Sequence, residues 1–132
     1  MSESSADRLT VVLSAGLEEG GRKAAIAFGV AMAAQAEGTE TTVFLALDAA
    51  VLGTPTGAQG IVPRGFSDPL ATYIQHFVEL GGQLEVCASC YHEYCQHLPK
   101  DAEGNPSLRD GARVQGLGAI AYRAMKERVV TF

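Results

Sequence analysis

Positive charge is scarce and scattered in this chain. Its 132 residues include ten lysines and arginines against fifteen aspartates and glutamates, and the basic residues form no run or stripe. Because a nucleic-acid-binding surface normally needs a basic face, we exclude nucleic acid as a partner. Long apolar runs are also missing. The longest, Ala24 to Ala34, is too short to cross a bilayer, so we expect no membrane span.

The first residues lack the parts of a secretion signal. Met1 to Asp7 carries neither a basic segment nor an apolar one, so we expect a cytoplasmic protein. In that reducing compartment, clustered cysteines are catalytic, redox-active or metal-binding rather than structural disulfides. Small, polar and acidic residues predict a disordered tail over 1–8. One domain over 9–132 follows, a length that suits a single core.

Cysteine is rare, and all of it lies in one place. The three cysteines fall within nine residues, in Cys87-Ala-Ser-Cys90-Tyr-His-Glu-Tyr-Cys95, directly after the apolar run Leu84-Glu85-Val86. Gathering every thiol at the end of one predicted strand points to chemistry rather than to core filling.

Strands and helices alternate along the chain. Short apolar runs rich in β-branched residues predict strands buried on both faces, and apolar stripes at helical spacing predict helices. The predicted strands are 9–13, 41–47, 83–86, 112–114 and 129–132, and the predicted helices are 22–36, 69–80 and 116–126. This order predicts an α/β fold in which a parallel sheet lies between helices, with right-handed crossovers.

The first and last of these helices carry apolar residues at helical spacing. In the first helix Ile26, Val30 and Ala33, flanked by Phe28 and Met32, build an apolar surface, and the many alanines and glycines of this helix suggest close packing on a sheet. In the last helix we expect Leu117, Ile120, Ala121 and Ala124 to face the core.

Cys87 is predicted to lie at the carboxyl end of the third strand, where reactive groups gather in parallel sheets. A helix starting there would present unpaired N–H groups to the sulfur and lower its pKa. Cys90, three residues on, completes the Cys-x-x-Cys spacing of dithiol redox centres and of half a zinc site. Cys95 lies off that pattern and fits a packing role.

Two other uses of the cluster stay open. One is a thiol–disulfide redox protein that uses Cys87 and Cys90. The other is a structural zinc module, although the second paired knuckle of common zinc sites is missing. Its ligands would be Cys87, Cys90, Cys95 and His97 or His92. Weaker candidates for the site are Asp48, Arg109 and Arg113, which, like Glu85, could also be ordinary surface or capping residues.

The organisation of the chain resembles that of the DsrE/DsrF-like sulfur-carrier proteins, which include the Tus sulfur-relay subunits. The resemblance covers nearly the whole chain and rests on the order of the elements and on the place of the cysteine after the third strand. The matching segments are the opening strand and its Gly-containing turn, Val43–Asp48, Glu79–Gly82, Leu84–Cys87, Gly111–Val114, the helix from Leu117, and Val129–Phe132.

The resemblance implies a single flavodoxin-like three-layer domain with a mostly parallel five-stranded sheet. It also implies that Cys87 accepts sulfane sulfur as a persulfide and hands it to a cysteine of another sulfur-transfer protein, in sulfur oxidation or in a sulfur relay. Cys90 would be its partner in a disulfide or trisulfide. Family members form trimers or hexamers, so we expect a homotrimer or homohexamer, and we expect neither a cofactor nor a metal.

Overall fold

The computed structural model describes residues 7–132, which form five strands and four α-helices. Short 3₁₀ segments cover Glu18–Gly21 and Leu47–Gly53. Residues 1–6 of the predicted tail lie outside the described residues, whereas Arg8 belongs to the first strand. In chain order the elements are β1 (Arg8–Leu13), α1 (Arg22–Ala36), β2 (Glu40–Leu45), α2 (Leu70–Glu79), β3 (Gln83–Cys87), α3 (Ala88–Tyr94), β4 (Ala112–Gln115), α4 (Leu117–Lys126) and β5 (Arg128–Thr131).

The strands form one sheet in the order β4-β3-β2-β1-β5, and every neighbouring pair is parallel. From β1 to β4 the chain moves across the sheet in one direction, and the step from β4 to β5 returns past β1. Right-handed crossovers therefore place α1 and α2 on one face of the sheet and α4 on the other. The predicted α/β class, with five parallel strands and helices on both faces, is confirmed.

The main core lies between the sheet and the pair α1 and α2. The ring of Phe28 in α1 meets that of Phe77 in α2 edge to face, with centroids 5.8 Å apart. Gly82 immediately precedes β3. A Cβ added at this position would lie 2.3 Å from the Phe77 ring, so only glycine fits there. Alternate residues of the three central strands complete this core, all 0% exposed: Val11, Leu13, Val43, Leu45, Leu84 and Val86.

The apolar surface predicted on α1 is largely exposed, whereas the close packing predicted from the alanines of this helix is confirmed. Ile26 is 47% exposed and Val30 is 40% exposed, and Ala33 is exposed as well. The buried residues of α1 are Ala24, Ala25, Ala27, Phe28 and Ala31. Because apolar residues surround this helix on all sides, their periodicity does not select a face, and the small alanines are the side that approaches the sheet most closely.

The predicted inward face of α4 is largely wrong, since none of its residues is buried. Leu117 is 63% exposed, Ala121 and Ala124 are exposed, and only Ile120 is partly buried against the core. Within residues 7–132, no helix combines the length and apolar character needed to span a bilayer.

Candidate functional site

Cys87 is the last residue of β3, and α3 begins at the next residue. Parallel strands end at a common edge of the sheet, so Cys87 lies where ligands and reactive groups gather in α/β folds. Its backbone, with φ −57° and ψ 127°, is the N-cap of α3 and precedes N–H groups that have no partner within the helix. The placement predicted for Cys87 is confirmed.

The surroundings of the Cys87 sulfur favour the thiolate. Only 3% of the residue is exposed, and this burial by itself would raise the pKa of the thiol. The Ser89 hydroxyl lies 3.5 Å from Sγ, and the backbone N–H groups of Ser89 and Cys90, at the start of α3, lower the pKa of the thiol. Together with the Cys90 thiol, these groups outweigh burial, so the pKa of Cys87 lies below its ordinary value.

Cys90 lies beside Cys87, but the pKa of its thiol is shifted in the opposite direction. Burial raises the pKa of Cys90, and the neighbouring Cys87 raises it further, although the backbone N–H of Leu47 donates to Cys90 Sγ at 3.0 Å. Leu47 directs this N–H from a left-handed backbone with φ 52°, a conformation that costs a residue with a Cβ about 1–2 kcal/mol. Strained backbone of this kind is concentrated at functional sites, so Leu47 belongs to the candidate site.

Cys95 is fully buried, at 0% exposed. Burial raises the pKa of its thiol, and the charge of Cys90 adds to the increase. Its backbone N–H continues the hydrogen bonding of α3 by donating to the Tyr91 carbonyl at 3.2 Å. The three thiols are therefore free and close in the chain, but only Cys87 has surroundings that favour the thiolate.

The described part of the chain does not show the ligand arrangement that the zinc alternative requires. No group of three or more His, Cys, Asp and Glu side chains in residues 7–132 is arranged to hold a metal ion. His92 and His97, the histidines nearest the cluster in sequence, are both exposed. The dithiol alternative stays open, because both thiols are free and close enough for each to shift the pKa of the other.

The side chains of Asp48, Arg109 and Arg113 make hydrogen bonds to groups other than the cysteine thiols. Asp48 Oδ1 accepts a hydrogen bond from the Gly16 N–H at 2.9 Å, which ties together the turns after β1 and β2. Arg109 Nε donates to the Leu52 carbonyl at 3.0 Å. Arg113 binds Glu85. The hydrogen bonds of both arginines therefore give no support to the idea that they stabilise a thiolate.

The reading of Glu85 as a surface charge is wrong, since this residue is 0% exposed. Arg123 of α4 donates two hydrogen bonds to its carboxylate, from Nη1 to Oε1 at 2.6 Å and from Nη2 to Oε2 at 2.8 Å. Arg113 donates two more to Oε2, from Nη2 at 2.7 Å and from Nε at 3.2 Å. Burial would raise the pKa of Glu85, but the two guanidinium groups together lower it. Glu85 is two residues before Cys87 on β3, so both side chains leave the strand on the α4 face.

Three contributors to the site were missed from the sequence. Ser89 stands between two cysteines at a predicted helix start, and that position was a usable signal for its hydroxyl. Leu47 acts through its backbone N–H, and because every residue except proline has this group, the residue type does not reveal its role. Arg123 lies 38 residues from Glu85, and nothing local to either residue indicates the pair.

The fold is shared with two solved structures. One is the YchN protein from E. coli, with a TM-score of 0.70 and 19% identity over 95% of this chain and 98% of that chain. The other is a conserved protein of unknown function, BT1422 from Bacteroides thetaiotaomicron, with a TM-score of 0.64 and 15% identity over the whole of both chains. No protein-family model and no curated protein matches the chain. At these identities the likeness shows the fold alone.

Proposed function

We propose that this protein is a sulfur carrier that takes up sulfane sulfur as a persulfide on Cys87 and transfers it to a cysteine of another protein. One observation carries the proposal: Cys87 ends a central strand at the carboxyl edge of the sheet, and hydrogen bonds hold the pKa of its thiol low while burial raises that of Cys90 and Cys95. The α/β fold agrees with the sequence resemblance to sulfur-carrier proteins.

Sulfur uptake would be a nucleophilic displacement. The Cys87 thiolate attacks the outer sulfur of a donor persulfide, R–S–SH, and the donor S–S bond breaks as the new one forms. The products are Cys87–S–SH and the donor thiolate R–S⁻, so neither charge nor oxidation state changes overall. In the second step an acceptor thiolate attacks the outer sulfur, and Cys87 leaves as a thiolate. A thiol with a lowered pKa is a good leaving group, which suits Cys87 to this step.

The donor would reach Cys87 from the side of Ser89. Cys87 is almost covered, but the Ser89 side chain that hydrogen-bonds its sulfur is exposed at the surface. Rotation of that hydroxyl would open a path to Sγ while the helix N–H groups stay in place to hold the negative charge. We further propose that the donor and acceptor are other sulfur-transfer proteins of the cytoplasm, and that the carrier itself assembles into a homotrimer or homohexamer.

Sulfur loading measured by intact mass tests the proposal. The reduced protein, incubated with polysulfide and freed of excess reagent, should gain increments of about 32 Da, one sulfur atom each. Cys87→Ser should lose the gain, whereas Cys95→Ser is the matched control and should keep it. Loading of Cys87→Ser at the wild-type level would contradict the assignment.

A second function has one observation in its favour. The thiols of Cys87 and Cys90 are three residues apart and close enough for each to shift the pKa of the other, so a disulfide between them, formed by an oxidised dithiol partner, would make the protein a thiol–disulfide exchanger. That function requires both cysteines equally. Disulfide reductase activity that is lost in Cys90→Ser as completely as in Cys87→Ser would favour it over sulfur carriage.

A further inference from the structure

The outer face of α1 is apolar in the middle and charged at both ends. Arg22 lies at its start and Glu37 caps its end, with Ile26 and Ala33 between them, and all four are exposed. At 100° per residue these four positions fall within an arc of about 60°. The buried residues Ala24, Phe28 and Ala31 occupy the opposite side. We call this exposed face, completed by Gly29 and Val30 at its margins, the outer stripe.

The outer stripe has the composition of a covered surface. A helix that is apolar on every side is normally buried on every side, and α1 is buried only against the sheet and α2. Ile26 and Val30 are 47% and 40% exposed. At Gly29 an added Cβ would meet nothing within 4 Å, so packing inside the domain does not require glycine there. The close approach of a backbone from a neighbouring molecule would require a glycine at this position.

The outer stripe is complementary to itself when turned end for end. Rotation about the point midway between Gly29 and Val30 exchanges those two positions. It brings Ile26 opposite Ala33, a large side chain against a small one, and Arg22 opposite Glu37, a positive charge against a negative one. Within residues 7–132 neither Arg22 nor Glu37 has an ion-pair partner. This pattern is what a two-fold contact between identical surfaces requires.

We propose that the outer stripe binds the outer stripe of a second copy of this chain, with the two α1 helices antiparallel. Arg22 and Glu37 form two symmetric ion pairs at the ends of the contact, and Gly29 and Ala33 let the helices approach closely. The contact involves no residue near Cys87, so it goes beyond sulfur carriage and does not depend on it. Of the two proposed assemblies, only the homohexamer can contain such a contact, because a ring of three subunits has no two-fold axis.

The arrangement has a geometric consequence for the site. The 15 residues of α1 span about 22 Å, and the helix begins at the carboxyl edge of the sheet, where β1 ends. Antiparallel pairing therefore turns the carboxyl edges of the two sheets toward opposite ends of the dimer. The two Cys87 sites stay open and independent, and neither subunit covers the site of the other.

Charge reversal provides the test, with mass in solution as the readout. Arg22→Glu and Glu37→Arg each place like charges at both ends of the contact, and each should weaken association about tenfold or more. In an equimolar mixture, a dimer of one variant with the other again has opposite charges at both ends, so the mixture should restore association. Neither change endangers folding, because an acid at a helix start and a base at a helix end both suit the helix dipole.

The association is followed by light scattering across a wide concentration range, because one helix pair is a small interface. Val30→Arg should abolish the two-fold contact, and Val62→Arg, at an exposed loop position elsewhere, should leave it unchanged. A wild-type chain that stays monomeric overturns the proposal. Wild-type assembly in both charge variants, no recovery in the mixture, or equal loss in Val62→Arg overturns it as well.

Discussion

The chain from β1 to β3 packs apolar side chains beneath α1 and α2, whereas the chain from β4 to β5 joins the sheet through backbone pairing and through ion pairs with Glu85. Phe28, Phe77 and the strand residues beneath them are fully buried, but from Ala112 to the end of the chain no residue is buried. The strongest contacts of α4 with the sheet are the bonds of Arg123 to the buried carboxylate of Glu85. The two faces of one sheet thus depend on different forces.

The two regions should therefore respond differently to pH, to salt and to substitution. Burial of apolar surface changes little with pH and salt, whereas a buried ion pair depends on the protonation of its carboxylate and on having both partners. Glu85 is two residues from Cys87 on the same strand, so the charged region borders the candidate site. Changes in the two regions should therefore have different sizes and different dependence on pH.

The largest effect is expected in the apolar region. Phe77→Ala removes a ring that packs against Phe28 and Gly82 and should lower the free energy of unfolding by about 3–5 kcal/mol. Met125→Ala, on α4 at 74% exposed, should change it by less than about 0.5 kcal/mol. Urea unfolding of both variants measures the contrast. Equal losses would mean that α4 is packed more tightly than its exposure indicates.

Glu85→Gln should produce the next largest effect. It leaves the guanidinium of Arg123, whose side chain is only 16% exposed, without its carboxylate, whereas Arg113, at 58% exposed, can turn to water; we expect the free energy of unfolding to fall by about 3 kcal/mol. Glu40→Gln is the matched control, because Glu40 is 70% exposed and lies 3.5 Å from Arg8, and it should cost less than about 0.5 kcal/mol. If Glu85→Gln were as mild as its control, the charged region would not depend on this pair.

The pH dependence of stability sharpens the same comparison. The folded protein holds the pKa of Glu85 below 4.5, so the ionised carboxylate stabilises the fold above that pH, and this stabilisation is lost as pH falls through the lower, folded value. The gap in unfolding free energy between wild type and Glu85→Gln should be full at neutral pH and should shrink as the pH falls below the ordinary titration range of a glutamate. A gap independent of pH would contradict the ion-pair account.

The smallest predicted effect concerns the candidate site. Ser89→Ala removes the hydroxyl 3.5 Å from Cys87 Sγ and should raise the pKa of that thiol toward its ordinary value. The rate of Cys87 alkylation against pH should then move to higher pH, while the profile of Cys95 in the same sample stays in place. An unmoved Cys87 profile would assign the low pKa to the backbone N–H groups alone.

The sequence predicts the elements better than their faces. For α2 the sequence predicts an apolar stripe of Leu70, Tyr73, Ile74, Phe77 and Leu80 at helical spacing. Leu70, Ile74 and Phe77 are buried, whereas Leu80, at the end of the helix, is 49% exposed. In α1 the same reasoning fails, because alanines and larger apolar residues alternate around the whole helix. Only the packing of the sheet decides which side is buried, and that is not a local property.

The residues of the candidate site also differ in how far the sequence predicts them. The place of Cys87 at a strand end follows from the apolar run before it, so it was predictable. Glu85 lies inside that run, and its burial depends on Arg113 and Arg123, which are 28 and 38 residues away in the chain. The bond from Leu47 to Cys90 depends on a backbone turn after β2, which side-chain chemistry does not encode.

Site-resolved alkylation of the reduced protein at neutral pH tests the central claim, that Cys87 is the reactive thiol. Iodoacetamide is added in limiting amount, and the modified cysteine is identified in the digested protein. The account predicts that Cys87 is labelled first, with Cys90 and Cys95 lagging behind, and that the three become alike in denaturant. Labelling of Cys90 or Cys95 ahead of Cys87 in the folded protein would contradict it.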